Sequence, residues 1–480
     1  MPIPRTALPL AVLALTATML DAQELPDLTE AESSALETIT KGKILTTISF
    51  LASDELQGRA TPSRELQIAG AYVAARFRGA GLEGLGEDGS YYLHGVEKTL
   101  PKDAEVIVRD SLDGAPKPYE GVRMLAAAPK RIEMTYDARS ANAGGKPDDY
   151  PADTEGVFIV DEPEAVQRGR RQSPMARYFG LVMQAQAAKA ASAKLLLVRA
   201  PEESDLRKEF SDRQTMTLAQ IGVPVLLVPA SFTEGRYFFD VPGWVVKQSE
   251  NRNVAGLLRG SDPKLRDEAI VVTAHLDHIG VGVRRGGGSQ DEAADTINNG
   301  ADDDATGCTA VLALADAFAA LPQRPKRSLL FMTFYGEERG LVGSREFCAN
   351  PAWPLDKIVA NVNIEMIGRP EEGARNKMWM TGWTKSDLGD LMAEGSKRVD
   401  VVCFRHNRFS PMLYRQSDNW SFVEKGVVAH SFSAGSLHSD YHQPSDEWTK
   451  LDLDHMVTIT KGLFAGILPI ASGDATPKAK

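Results

Sequence analysis

Along the 480-residue chain the spacing of hydrophobic positions changes twice, dividing it into three stretches. Near the start, "ITKGKILTTISFLASDELQGR" and "QIAGAYVAARFRGAGL" carry apolar residues at helical intervals. Ile68, Tyr72, Val73 and Phe77 are expected on one face, with Gly79 and Gly81 as the stop signal. From about Asp103 to Gln248 the texture becomes short β-branched and leucine-rich runs separated by Pro, Gly and Asp. "GVFIV" at Gly156, "LLLV" at Leu195 and "VPVLLVP" at Val223 read as strands, with a helical "MQAQAAKAASA" between the first two. From Asn251 onward strands alternate with amphipathic helices: "AIVVTA" before His275, the helix "TGCTAVLALADAFAAL", "RSLLFMTFY", a helix around "GLVGSREFCAN", then "IVANVNIEMIG". A strand "VVAHSFSAG" and a last helix from about Leu453 to Ile470 follow. This alternation predicts an α/β fold with a mixed, largely parallel central sheet flanked by helices, and a smaller α/β domain inserted into it. The expected boundaries are 31–102 plus 249–471 for the main domain, 103–248 for the insertion and 472–480 for a disordered tail.

Composition narrows the function classes. With 43% hydrophobic and 25% charged residues the chain reads as globular and soluble, and a net charge of -11 argues against a nucleic-acid footprint, which needs a basic face. Small molecules or peptides are the expected partners; oligomeric state is left open. The first residues, "MPIPRTALPLAVLALTATMLDAQELPD", place Arg5 before an apolar run from Ala7 to Leu20, shorter than the roughly 20 residues of a membrane span. The run ends at small Ala22, so residues 1–22 read as a cleavable signal peptide, with an uncleaved anchor as the alternative. The expected location is periplasmic or extracellular, with no stable membrane insertion after cleavage. Cysteine usage, only Cys308, Cys348 and Cys403, excludes a disulfide-dense scaffold and allows at most one bridge.

Candidate chemistry collects after Lys264, where seven of the eight histidines lie, while the inserted block has neither His nor Cys. In "NNGADDDATGC" three aspartates stand side by side before a helix. The ordinary reading is helix capping and a favourable helix dipole; the alternative is a cation that keeps mutually repelling carboxylates ionised. His275 and Asp277 follow one predicted strand, Glu337 and Glu338 another, and Glu365 interrupts the apolar run of a third. His438 and His442 lie in "LHSDYHQPSDEW", where one is expected to be a ligand and the other a surface residue. In open α/β sheets ligands bind at the carboxyl ends of strands, so these side chains are expected to converge.

Taken in order, "NVAGLLRGSDPKLRDEAIVVTAHLDHIG", "NGADDDATG", "RSLLFMTFYGEERGLVGS", "NVNIEMIGR" and "DYHQPSD", with "LASDELQGR" nearer the start, resemble the co-catalytic zinc aminopeptidase family, which includes secreted bacterial leucyl-type aminopeptidases. The resemblance runs from about Asn251 to the C-terminal helix, plus the leader, and the inserted block resembles the protease-associated domain that many members carry. It implies two Zn²⁺ per chain, with Asp303 bridging them, His275 and Glu365 completing one site and Glu338 and His442 the other. It further implies Glu337 as general base, Asp277 as the partner that orients His275, and Tyr441 as a hydrogen-bond donor to the oxyanion. Many members have Asp where this chain has Glu365. The implied activity is removal of the first residue of a peptide through a zinc-bridging water activated by Glu337. A carboxypeptidase or dipeptidase on the same scaffold is the alternative, and a non-catalytic peptide-binding protein the remote one.

Overall fold

Every residue of Ala269–His275 is buried, and so is every residue of Ser328–Phe334. Strands apolar on both sides belong inside a sheet covered on both faces. The computed structural model describes residues 25–282 and 295–480, apart from short segments between residues 100 and 220; the expected signal peptide lies outside the described residues. The chain divides into two compact units, Met1–Gly95 with Glu250–Lys480, and Val96–Ser249.

In the first unit we number the main strands β1 (Val245–Leu258), β2 (Ala269–His275), β3 (Ser328–Phe334), β4 (Ile358–Ile364), β5 (Lys377–Met380), β6 (Val402–Phe404) and β7 (Ala429–Ser433). Their order across the sheet is β1, β3, β2, β4, β7, β5, β6. The β3–β2, β2–β4 and β4–β7 pairs are parallel, whereas β1 and β5 run antiparallel to β3 and β7. The sheet is therefore mixed, with a parallel centre, as the pattern predicts. The short strands β5 and β6 are not expected from the sequence.

Side chains of β2 and β3 divide by the period of two that a pleated strand imposes. Ile270, Val272, Leu329 and Phe331 pack on one face with α1 (Arg64–Gly79), α2 (Thr306–Ala319) and α3 (Leu453–Ala471). Ala269, Val271, Leu330 and Met332 pack on the other with Phe347 and Phe422. The buried face of α1 is Leu66, Ala69, Gly70, Val73 and Phe77. Ile68, expected on that face, is 43% exposed, because five residues before Val73 it stands about 140° away round a helix of 3.6 residues per turn.

One further expectation is corrected. The tail is not frayed: Arg327 donates to the Ala475 carbonyl (2.7 Å) and the Thr476 hydroxyl (2.6 Å), and Lys480 N–H to the Lys385 carbonyl (2.9 Å). The three cysteines are buried and unpaired with one another. In the second unit, Leu195–Arg199 lies between Val157–Asp161 and Val225–Val228, all parallel, with the helix Pro174–Ala190 connecting the first two in sequence. Among the described residues no helix is long and apolar enough to cross a membrane.

On β7, the buried His430 donates from Nδ1 to the Thr381 carbonyl (2.7 Å) and accepts from the Ser386 hydroxyl at Nε2 (2.7 Å), so both ring nitrogens are satisfied in the neutral form. Burial pushes its pKa down to about 4. The unfolded chain, with an ordinary imidazole near pH 6.5, binds more protons between these values, so this contribution is present above pH 6.5 and lost as pH falls toward 4. With metal chelated throughout, the stability advantage of the wild type over His430→Gln in urea unfolding is expected to shrink by about 2 kcal/mol from pH 7 to pH 5. An advantage equal at both pH values would contradict this assignment.

Candidate metal centre

The strand ends bring their polar residues to one place. β2 ends at His275, the loop after β3 carries Glu337 and Glu338, Glu365 follows β4, and the segment after β7 reaches Tyr441 and His442. Between β2 and α2 the aspartate run lies buried in the turn Ala301–Ala305, immediately before the α-helix. Gly300 enters this turn at φ +56°, and a Cβ there would meet the Asp303 carbonyl oxygen and the His278 ring, both at 2.4 Å; only glycine fits.

Asp303 stands between two sets of groups. Its Oδ1 is 3.0 Å from His275 Nε2, which is 3.6 Å from Glu365 Oε2. Its Oδ2 is 3.0 Å from His442 Nε2, which is 3.0 Å from Glu338 Oε1. The flanking aspartates shape the loop: Asp304 Oδ1 accepts from the N–H groups of Gly307 (3.0 Å) and Met366 (3.2 Å), and Asp302 Oδ1 from Gly368 N–H (2.8 Å). Asp304 also lies with His275 and Glu365 in a ligand-capable group. His438 is not a surface residue: its Nε2 is 3.2 Å from Asp302 Oδ2.

A divalent cation fits this donor set. His275 Nδ1–H donates to the Asp277 carbonyl (3.0 Å), which turns the lone pair of a neutral ring at Nε2 toward the Asp303 and Glu365 carboxylates. Buried Asp303 Oδ2, Asp304 Oδ2 and Glu338 Oε1 have no hydrogen-bond partner among the described residues, a costly state unless a positive charge satisfies them. With protein charges alone, burial opposes the ionised form of Asp303, but the His275, His442 and His278 rings hold its carboxyl well below the usual range. His275 is likewise opposed by burial yet held well above an ordinary imidazole by Glu365, Glu337 and Asp303. Taking up a cation therefore requires the His275 and His442 rings to release protons. Oxygen and imidazole ligands suit Zn²⁺.

Asp277 differs from its expected placement. Its carboxylate is 3.9 Å from His275 Nδ1 and serves the neighbouring loops instead, accepting from the Thr61 hydroxyl (2.9 Å) and from Glu337 N–H (3.1 Å). β2 ends at His275, so strand geometry does not extend to Asp277, and it is the main-chain carbonyl of Asp277 that accepts from the imidazole N–H.

The leader joins this part of the unit closely. Buried Arg59 donates to the carbonyls of Leu51, Leu276 (2.8 Å), Asn299 (2.7 Å) and Gly300 (3.0 Å), and its own carbonyl accepts from His278 N–H (3.2 Å). Ser417 and Asn363 both donate to Glu365 Oε1, the latter at 2.9 Å. Spacing marks neither the Arg59 nor the Ser417 role, although Arg59 lies in the "LASDELQGR" run. His278 has a visible signal, a second histidine in "HLDHIG", although the expected ligand set omits it.

Glu337 faces a partly open cavity shared with His275, Asp303 and Glu365. Desolvation and the Glu365, Asp418 and Glu338 carboxylates raise its pKa well above the carboxylate range. Across the cavity stand Met366, Trp379, Phe409, Leu413 and Leu437, and the Tyr441 ring stacks on His442 with centroids 3.9 Å apart.

Paired carboxylate and imidazole sets at parallel strand ends, next to a further carboxylate and an apolar cavity, define a metallohydrolase site. The chain matches the model of peptidase family M28 over residues 253–466. Over 99 residues it is 30% identical to a vacuolar membrane protease of Verticillium alfalfae, a stretch amounting to 21% of this chain and 8% of that protein. Among solved structures it is similar to an aminopeptidase from Aneurinibacillus sp. strain AM-1, at 18% identity, covering 92% of this chain and 96% of that one, with a TM-score of 0.47. It is also similar to a zinc aminopeptidase from Bacillus subtilis, at 16% identity, 91% and 97% coverage and a TM-score of 0.46.

Proposed function

We propose that the chain is an aminopeptidase that holds two Zn²⁺, one by His275, Asp303 and Glu365, the other by Asp303, Glu338 and His442. One observation carries the choice of terminus: no lysine or arginine is among the described residues lining the cavity, whereas Glu337 and Glu365 are. No cationic side chain there would pair with a substrate carboxylate, whereas carboxylates beside the metal positions can accept from an α-ammonium group. The apolar wall from Met366 to Leu437 suits an apolar first side chain.

Bound zinc supplies Lewis acidity at the scissile carbonyl and makes water acidic enough to be deprotonated near neutral pH. Glu337 takes a proton from the attacking water and later returns it to the leaving amine. Asp277 positions this base through its bond to Glu337 N–H, and Tyr441 donates to the oxyanion. Residues 1–22 act as a signal peptide, so the mature chain works in the periplasm or outside the cell. The Val96–Ser249 unit is a protease-associated domain without catalytic groups, consistent with its lack of His and Cys.

Peptides blocked at the amino end are expected to resist hydrolysis, while the same peptides amidated at the carboxyl end are cleaved at the first bond. Cleavage of amino-blocked peptides from the carboxyl end would select the carboxypeptidase reading instead.

A further inference from the structure

His278 belongs to neither ligand set proposed above, yet it points into one of them. Its ring is fully buried, and neither Nδ1 nor Nε2 has a hydrogen-bond partner among the described residues. Nδ1 lies 3.2 Å from Glu338 Oε1 and 3.7 Å from Asp303 Oδ2. Those two oxygens also lack hydrogen-bond partners, and each is 3.0 Å from His442 Nε2. The four ligand atoms of His278, Asp303, Glu338 and His442 all lie within 4.8 Å of one another.

Bonds of about 2.0–2.1 Å to one tetrahedral zinc would set neighbouring ligand atoms about 3.3–3.4 Å apart. The separations of 3.0, 3.0, 3.2 and 3.7 Å bracket that edge length. Proximity without hydrogen-bond alignment at His278, Asp303 Oδ2 and Glu338 Oε1 is what groups aimed at a shared centre show, as opposed to groups aimed at each other. Arg59 fixes the backbone that carries the ring, its carbonyl accepting from His278 N–H.

We propose that His278 is a fourth protein ligand, through Nδ1, to the metal held by Asp303, Glu338 and His442. The inference rests on the paired-metal reading and adds a ligand to it. The competing role is a hydrogen bond from His278 to Glu338 alone. Asn at this position places an amide N–H close to where Nδ1 stands, so His278→Asn retains a donor to Glu338 and removes the imidazole ligand.

The test is metal uptake by the full mature chain, stripped by chelation and titrated with Zn²⁺ against a chromophoric chelator, then with Co²⁺ followed by visible absorption. In His278→Asn one zinc equivalent is expected to weaken by more than about tenfold, with a changed cobalt spectrum, while the other equivalent is unaltered. Wild-type affinities and an unchanged spectrum in the variant would overturn the assignment. An independent measurement on unmodified protein covers a variant that does not fold: proton NMR of the cobalt-loaded chain should show one more hyperfine-shifted imidazole N–H than the two from His275 and His442. Two such signals alone would also overturn it. A wild type that takes up no zinc or cobalt would instead overturn the paired-metal reading itself, a result separable from the failure of His278.

Discussion

Glu337→Gln is expected to lower kcat by about 10²–10⁴-fold while zinc content per chain stays at the wild-type value. The amide has nearly the shape of the carboxylate but takes no proton from water, so the variant separates base catalysis from metal binding. Two observations motivate the split. Glu337 lies in the cavity wall with His275, Asp303 and Glu365, yet it is absent from both ligand-capable groups. Its main-chain N–H is held by Asp277 Oδ1 at 3.1 Å, which orients the residue without occupying its carboxylate. Steady-state turnover beside zinc analysis reads both quantities. Normal zinc with wild-type turnover would move the base to another residue.

Asp303→Asn is expected to do the opposite and remove metal. One oxygen of Asp303 stands 3.0 Å from His275 and the other 3.0 Å from His442, so a single carboxylate serves both sets. An amide offers one weak oxygen ligand and a nitrogen that cannot ligate, and it withdraws a negative charge from between two cations. Zinc affinity should fall at both equivalents, by more than the about 10–100-fold that follows loss of a group hydrogen-bonded behind a ligand. Activity should fall with it and recover only in part at high zinc. Chelator-competition titration of the folded variant reads this, and loss of only one equivalent would show that Asp303 serves a single site.

Much of this arrangement is legible in the order of the amino acids. Strand ends can be recognised because fully buried strands read as unbroken apolar runs, and a polar residue that interrupts or ends such a run, like His275 or Glu365, is conspicuous. What escapes detection depends on groups that meet only in three dimensions. Arg59 reaches carbonyls more than two hundred residues away, and Ser417 reaches Glu365 from a separate segment 52 residues further along the chain. The short strands β5 and β6 have too few residues for period-two alternation to register. Asp277 shows the limit of the resemblance: it implies a carboxylate against His275, but the strand ends at His275, two residues before Asp277, and the carboxylate stands 3.9 Å from the ring.

The most direct test of the central claim is zinc content of the purified chain, measured beside hydrolysis of a panel of aminoacyl-p-nitroanilides before and after chelation. The account predicts about two zinc ions per chain, release of the first residue, loss of activity on chelation and its return with added zinc. A chain without zinc, or one whose hydrolysis survives complete removal of the metal, would contradict it.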